Sequence, residues 1–80
     1  MALPIVLIVD VDPTVLIAFA RAFRNESVDI RAATSPREAV EIVDAEAVSV
    51  IVYDRWLPGM RGSELATLLR AIRPDVELIQ

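Results

Sequence analysis

Three aspartates sit where a carboxylate can do chemistry: Asp10, Asp12 and Asp54. Asp10 and Asp12 follow an apolar run over residues 4–9, and Asp54 ends the β-branched run VSVIVYD over residues 48–54. A buried strand that stops at an acid holds it at a sheet's carboxyl edge, where open α/β sheets bind ligands. If the two strands are neighbours, the carboxylates converge where strand order reverses. Carboxylates gathered without His or Cys suit a hard, oxygen-preferring cation such as Mg2+, and this chain has neither residue. Thiolate metal sites, disulfides and a histidine general base are thereby excluded. Each acid also has a plainer reading. Asp12 caps a helix, Asp10 is a solvated loop acid, and Asp54 ends a strand ahead of a turn.

The elements that must position these acids are legible from period and punctuation. Residues 4–9 form a short continuous apolar run, which predicts a strand buried on both faces. DVDPT then starts a helix, with Asp12 as N-cap and Pro13 at the first helical position. Val15, Ala18, Phe19, Ala22 and Phe23 recur at helical spacing, and RNES closes the helix. Residues 28–32 read as a second strand. Ser35-Pro36 opens a second helix, with Glu38 as capping-box partner and Ala39, Val40 and Val43 on its apolar stripe. The third strand covers residues 48–53. The third helix begins near Ser63 with Leu65, Leu68, Leu69 and Ile72 inside, and is broken by Pro74-Asp75 ahead of a fourth strand over residues 76–79. Strands alternating with single helices mean right-handed crossovers and a parallel sheet.

Eighty residues make one small domain, 1–80, near the lower limit for a self-sufficient core. Its residues are 55% hydrophobic but only 5% aromatic, so the surplus is aliphatic and predicts burial against a partner. A net charge of −4 argues against a nucleic-acid partner. All eight basic residues are Arg and none is Lys. The opening MALPIVLIVD resembles neither a signal peptide nor a membrane span, so the expected location is the cytoplasm. DVDPT is acidic and lacks the glycines of a phosphate cradle, which opposes a flavin or dinucleotide cofactor. Without His, Cys, Lys or a phosphate loop, an enzyme acting on a small ligand is not expected.

IVLIVDVDP and VIVYDRWLPGMRGSEL resemble the first strand and the phosphoacceptor strand of the receiver domains of bacterial two-component response regulators. RAATSPREAVEIV matches the intervening strand and helix in spacing. The resemblance implies a flavodoxin-like βαβαβαβ sheet of strand order 2-1-3-4, phosphorylation on Asp54 and a histidine kinase as partner. It also implies Mg2+ held by Asp10, Asp54 and the backbone carbonyl of Trp56, with Asp12 as a further candidate. Val11 stands where the family has a second acid that contacts the metal, so binding is expected to be weak or absent.

Against the family pattern the chain reads as truncated after the fourth strand, without the last two helices, the fifth strand, and the switch Ser/Thr and Lys. An apolar edge strand left open is a template for another chain. Leu16, Ile17 and Ala20 lie off the first helix's expected stripe. With Val76 and Leu78 on the last strand, they are the expected contacts of a homodimer. Trp56 reads either as an interface anchor or as an aromatic lying over its own sheet. Two functions follow: a phosphoacceptor module of a phosphorelay, or a non-signalling module whose activity is homodimerisation.

Overall fold

The computed structural model describes residues 3–80, so the first two residues of the expected 1–80 unit lie outside the described residues. The chain runs β1 (Ile5–Val9), α1 (Pro13–Phe23), β2 (Asp29–Ala33), α2 (Pro36–Ala45), β3 (Val48–Tyr53), β4 (Trp56–Leu57), β5 (Met60–Arg61), α3 (Gly62–Ile72) and β6 (Glu77–Ile79). The main sheet has the order β2-β1-β3-β6, with every neighbouring pair parallel. This is the expected 2-1-3-4 order. Its fourth strand is β6 because two short strands, β4 and β5, intervene.

Those two strands are the element that the sequence reading missed. Trp56 pairs with Arg61 and Leu57 with Met60, antiparallel, around Pro58-Gly59. Proline presets the first corner of a type II turn and glycine supplies the positive φ at the second. Gly59 has φ +76°, as that turn requires. At two residues each, the strands are too short to show a period.

Right-handed crossovers put α2 and α3 on one face of the sheet and α1 on the other. The main core lies on the first face. Leu7, Val9, Ala33 and Ile51 of the strands meet Ala39 and Val43 of α2 and Leu65 and Leu69 of α3. Val48 joins the same cluster although it lies an odd number of residues from Ile51. The β1–β3 register slips between Ile5 and Val6, so Ser49 is the extra residue that turns Val48 back to the core. The Arg73 guanidinium donates to the Val43 carbonyl at 3.1 Å and fixes the end of α3 to α2. Arg31 pairs with Glu46 at 2.9 Å, tying β2 to the residue that follows α2.

The first helix covers its face thinly. Val15, Leu16, Phe19 and Phe23 are half-buried, no residue of α1 is fully buried, and Ala18 and Ala22 are exposed. The stripe is therefore rotated from the expected one, with Leu16 inside it and the two alanines outside. Residues 15–20 are all apolar, so periodicity alone left the facing direction open. The stripe settles where the larger side chains face β1 and β2, with Phe19 and Phe23 stacked at 6.2 Å. Of the other expected interface residues, Ile17 and Ala20 are exposed and Leu78 packs against the chain's own core. Val76, expected at an interface, is instead buried in that core. A turn bond from its amide to the Arg73 carbonyl folds it beneath the end of α3. No helix among the described residues is long and apolar enough to cross a membrane.

Candidate functional site

The two acids that the sequence placed at strand ends lie side by side. Val9 of β1 pairs with Tyr53 of β3, and Asp10 and Asp54 are each the next residue. The ladder extends one step past the strands on both sides. The Asp54 amide donates to the Val9 carbonyl at 3.2 Å, and the Asp10 amide to the Ala33 carbonyl at 3.1 Å. Neighbouring strands lie about 4.8 Å apart, so two carboxylates share one edge of the sheet. Acids gathered at one edge create a negative potential that favours a cation there.

Local hydrogen bonds fix how each acid is presented. The Asp12 amide donates to Asp10 Oδ1 at 2.9 Å, and the Trp56 amide donates to Asp54 Oδ1 at 3.2 Å. Asp12 is the N-cap of α1: φ −92°, ψ 112°, with Oδ1 accepting from the Thr14 amide at 2.9 Å. Asp12 is thus engaged at the helix start, as its plainer reading had it. Among the described residues no group of three or more His, Cys, Asp or Glu side chains is arranged to hold a metal ion. The donor set available for a cation is therefore the Asp10–Asp54 pair with nearby main-chain oxygen. Val11 beside them is exposed hydrocarbon.

The loop that follows Asp54 is braced from below. The Gly62 amide donates to the Arg55 carbonyl at 2.9 Å and closes the β4–β5 hairpin onto the start of α3. A Cβ built on Gly62 would lie 2.9 Å from the Asp54 carbonyl oxygen, 3.0 Å from Gln80 Nε2 and 3.0 Å from the Tyr53 ring. The backbone of α3 can approach Asp54 only because that residue has no side chain. Gly62→Ala is expected to destabilise the protein by about 1–3 kcal/mol, the usual cost of overpacking. Denaturant unfolding would show this as a lower midpoint at unchanged slope.

The start of α2 departs from the expected pairing in one detail. Ser35 Oγ accepts from the Glu38 amide at 3.2 Å, as a capping box requires, but the Glu38 carboxylate reaches Thr34 and not Ser35. The Thr34 hydroxyl and then its amide donate to Glu38, and hold its carboxyl below the ordinary carboxylate range.

Sequence reasoning missed the surroundings of Asp54. Arg55, Trp56 and Arg61 are exposed, and together with Gly62, Ser63 and Gln80 they line a cavity of about 390 Å³. The available signal was the pair of arginines bracketing the chain's one tryptophan across the Pro-Gly turn.

An open parallel sheet with helices on both faces and an acidic pair at its carboxyl edge defines a receiver-like flavodoxin fold. A family model described as the response regulator receiver domain matches residues 6–80, and the chain belongs to that family. A response regulator receiver domain protein from Methanospirillum hungatei is 26% identical, with a TM-score of 0.90 over 95% of this chain and 61% of that one. The receiver domain of the Francisella response regulator 1452 is 25% identical, with a TM-score of 0.83 over 94% and 62%. A structure described as an adenylate cyclase from Rhodopirellula baltica is 28% identical, with a TM-score of 0.87 over 92% of this chain and 55% of that one. The chain thus spans between 55% and 62% of the length of these three structures. Among curated proteins, none matches the chain.

Proposed function

We propose that this chain is a phosphoacceptor module of a two-component phosphorelay that takes a phosphoryl group on Asp54. The observation that carries the reading is the pairing of Asp54 with Asp10 one step past the Val9–Tyr53 register. Asp54 Oδ1 is pinned by the Trp56 amide, which leaves Oδ2 to act as nucleophile. Oδ2 attacks phosphorus, a P–Oδ bond forms, and the bond from phosphorus to the donor breaks with its electron pair going to the leaving group. The donor is an acyl phosphate or the phosphohistidine of a histidine kinase. The phosphoryl group adds about −1.5 to −2 charges beside Asp10, which calls for a cation at the same edge.

Asp10, Asp54 and the Trp56 carbonyl oxygen would hold Mg2+ there, while Asp12 remains the cap of α1. Two carboxylates fit that ion, which is commonly bound by one or two acids with water and phosphate oxygens. When bound it supplies neutralising charge at the phosphoryl oxygens. Val11→Asp is expected to raise Mg2+ affinity by about tenfold or more, since it adds a further carboxylate beside the proposed site. Val11 is exposed, so the change leaves the core intact. A Mg2+ titration followed by Trp56 fluorescence measures the gain.

The thinly covered α1 face supports homodimerisation. Ile17 is 53% exposed, and Ile79 stands exposed at the end of the edge strand β6. A second copy laid on this side would bury both. Replacing Leu16 and Ile17 together with Glu is expected to convert the dimer to monomer or to unfold the chain, read by analytical ultracentrifugation. A folded monomer of the unaltered protein at micromolar concentration would refute the dimer.

A second reading, a module that dimerises without signalling, draws on the lack of a third acid converging with Asp10 and Asp54 among the described residues. Incubation with Mg2+ and acetyl phosphate, followed by intact mass measurement, separates the two. One added phosphoryl group, lost in Asp54→Asn, supports the phosphoacceptor. An unchanged mass supports the second reading.

A further inference from the structure

The cavity beside the β4–β5 hairpin has a composition that neither the fold nor phosphoryl uptake on Asp54 requires. Trp56 and Arg61 are directly opposed across the antiparallel ribbon. Directly opposed residues project to the same face with their Cβ atoms about 5 Å apart, so the Trp56 and Arg61 side chains leave the ribbon on the same side. Trp56 is 71% exposed, the most open of the chain's large apolar side chains among the described residues. It therefore does not lie over its own sheet. Arg55 lines the same cavity from the residue before Trp56.

Both arginines are uncommitted. Among the described residues the ion pairs are Arg31–Glu46 and Arg37–Glu41, and neither Arg55 nor Arg61 takes part in one. Arg73 and Arg31 are also spent on backbone carbonyls. In a chain of net charge −4, two guanidinia at one cavity place positive charge beside the Asp54 carboxylate. The Ser63 hydroxyl and the Gln80 carboxamide add neutral polar groups to the same wall. Its volume of about 390 Å³ lies within the range of small-molecule sites.

We propose that this cavity binds a nucleoside phosphate, with the base stacked on Trp56 and the phosphate held by Arg55 and Arg61. An exposed indole gives a planar ligand a stacking surface, and base–aromatic stacking is tolerant of base identity. Guanidinium groups match phosphate oxygens in planar, two-pronged geometry. A ligand with only one of the two parts would leave half of the site unused. The site uses the side chains of Arg55, Trp56 and Arg61, whereas the proposed Mg2+ site uses only the Trp56 backbone carbonyl, so AMP binding is read separately from phosphoryl uptake on Asp54.

The single tryptophan of the chain makes the test direct. The full chain is titrated with AMP while Trp56 emission is followed, with adenosine and inorganic phosphate titrated in parallel and calorimetry as a second readout. Saturable quenching by AMP is expected, with adenosine and phosphate each binding at least about tenfold more weakly. Trp56→Ala, read by calorimetry, and Arg61→Ala, read by either method, are each expected to weaken AMP binding by about tenfold or more. Both side chains are exposed, and unchanged circular dichroism would confirm that each variant folds. Affinity should also fall with added salt. The proposal is overturned if AMP gives no saturation at millimolar concentration or if Arg61→Ala binds it unchanged. It is equally overturned if inorganic phosphate or adenosine alone matches AMP.

Discussion

Ile51→Ala is expected to lower the melting temperature by about 8–40 °C. Ile51 is fully buried at the centre of β3, and β3 is the strand that holds both β1 and β6. Its side chain reaches the cluster shared with α2 and α3. Truncating a buried isoleucine to alanine costs about 2–5 kcal/mol through lost burial and the cavity left behind. A domain of this length has only about 4–12 kcal/mol of total stability, and each kcal/mol moves its midpoint by about 4–8 °C. One substitution therefore removes a large part of the margin. Leu68→Ala, on the outer side of α3 where the residue is exposed, is the matched control and should change stability by about 0.5 kcal/mol or less. Thermal unfolding of the two variants side by side checks the assignment of the core face.

Asp54→Asn is expected to abolish phosphoryl uptake while leaving the fold in place. The carboxylate is half-exposed and makes one side-chain hydrogen bond, from the Trp56 amide, which the asparagine oxygen accepts equally well. What is lost is the nucleophile, because a carboxamide oxygen does not form a stable acyl phosphate. Asp10→Asn should behave differently. It keeps the nucleophile but removes one of the two proposed carboxylate ligands of Mg2+, a loss of about 3 kcal/mol or more for a charge beside the cation at an effective dielectric of 20. Uptake should then persist but demand about 100-fold more Mg2+. Initial rates of adduct formation across a Mg2+ series distinguish the two variants. Equal loss in both would mean that Asp10 does more than contribute charge.

The parts of the fold that sequence exposed are those in which one residue type has a single physical use. Asp12 followed by Pro13, and Ser35 followed by Pro36, mark helix starts because each supplies a side-chain acceptor and a residue that needs no amide partner. Both helices begin there. The β-branched run into Asp54 had no competing helical reading, and β3 ends one residue before that acid. The rotation of α1 was hidden by the opposite circumstance. Every residue from Val15 to Ala20 is apolar, so which of them face the sheet depends on side-chain size. The burial of Val76 was hidden likewise, because it follows from the Arg73 turn and not from strand alternation. In the candidate site, sequence gave Asp10 and Asp54 by their position after strands. The Arg55, Trp56 and Arg61 wall escaped because its members meet only when a two-residue ribbon brings Trp56 opposite Arg61.

Locating the modified residue decides whether Asp54 is the phosphoacceptor. The protein is treated with acetyl phosphate and Mg2+, then reduced with borohydride, which converts an aspartyl phosphate to homoserine, and the peptides are sequenced by mass spectrometry. Homoserine is expected at position 54 and at no other aspartate. Homoserine at position 10 or 12, or unreduced aspartate at every position, would contradict it.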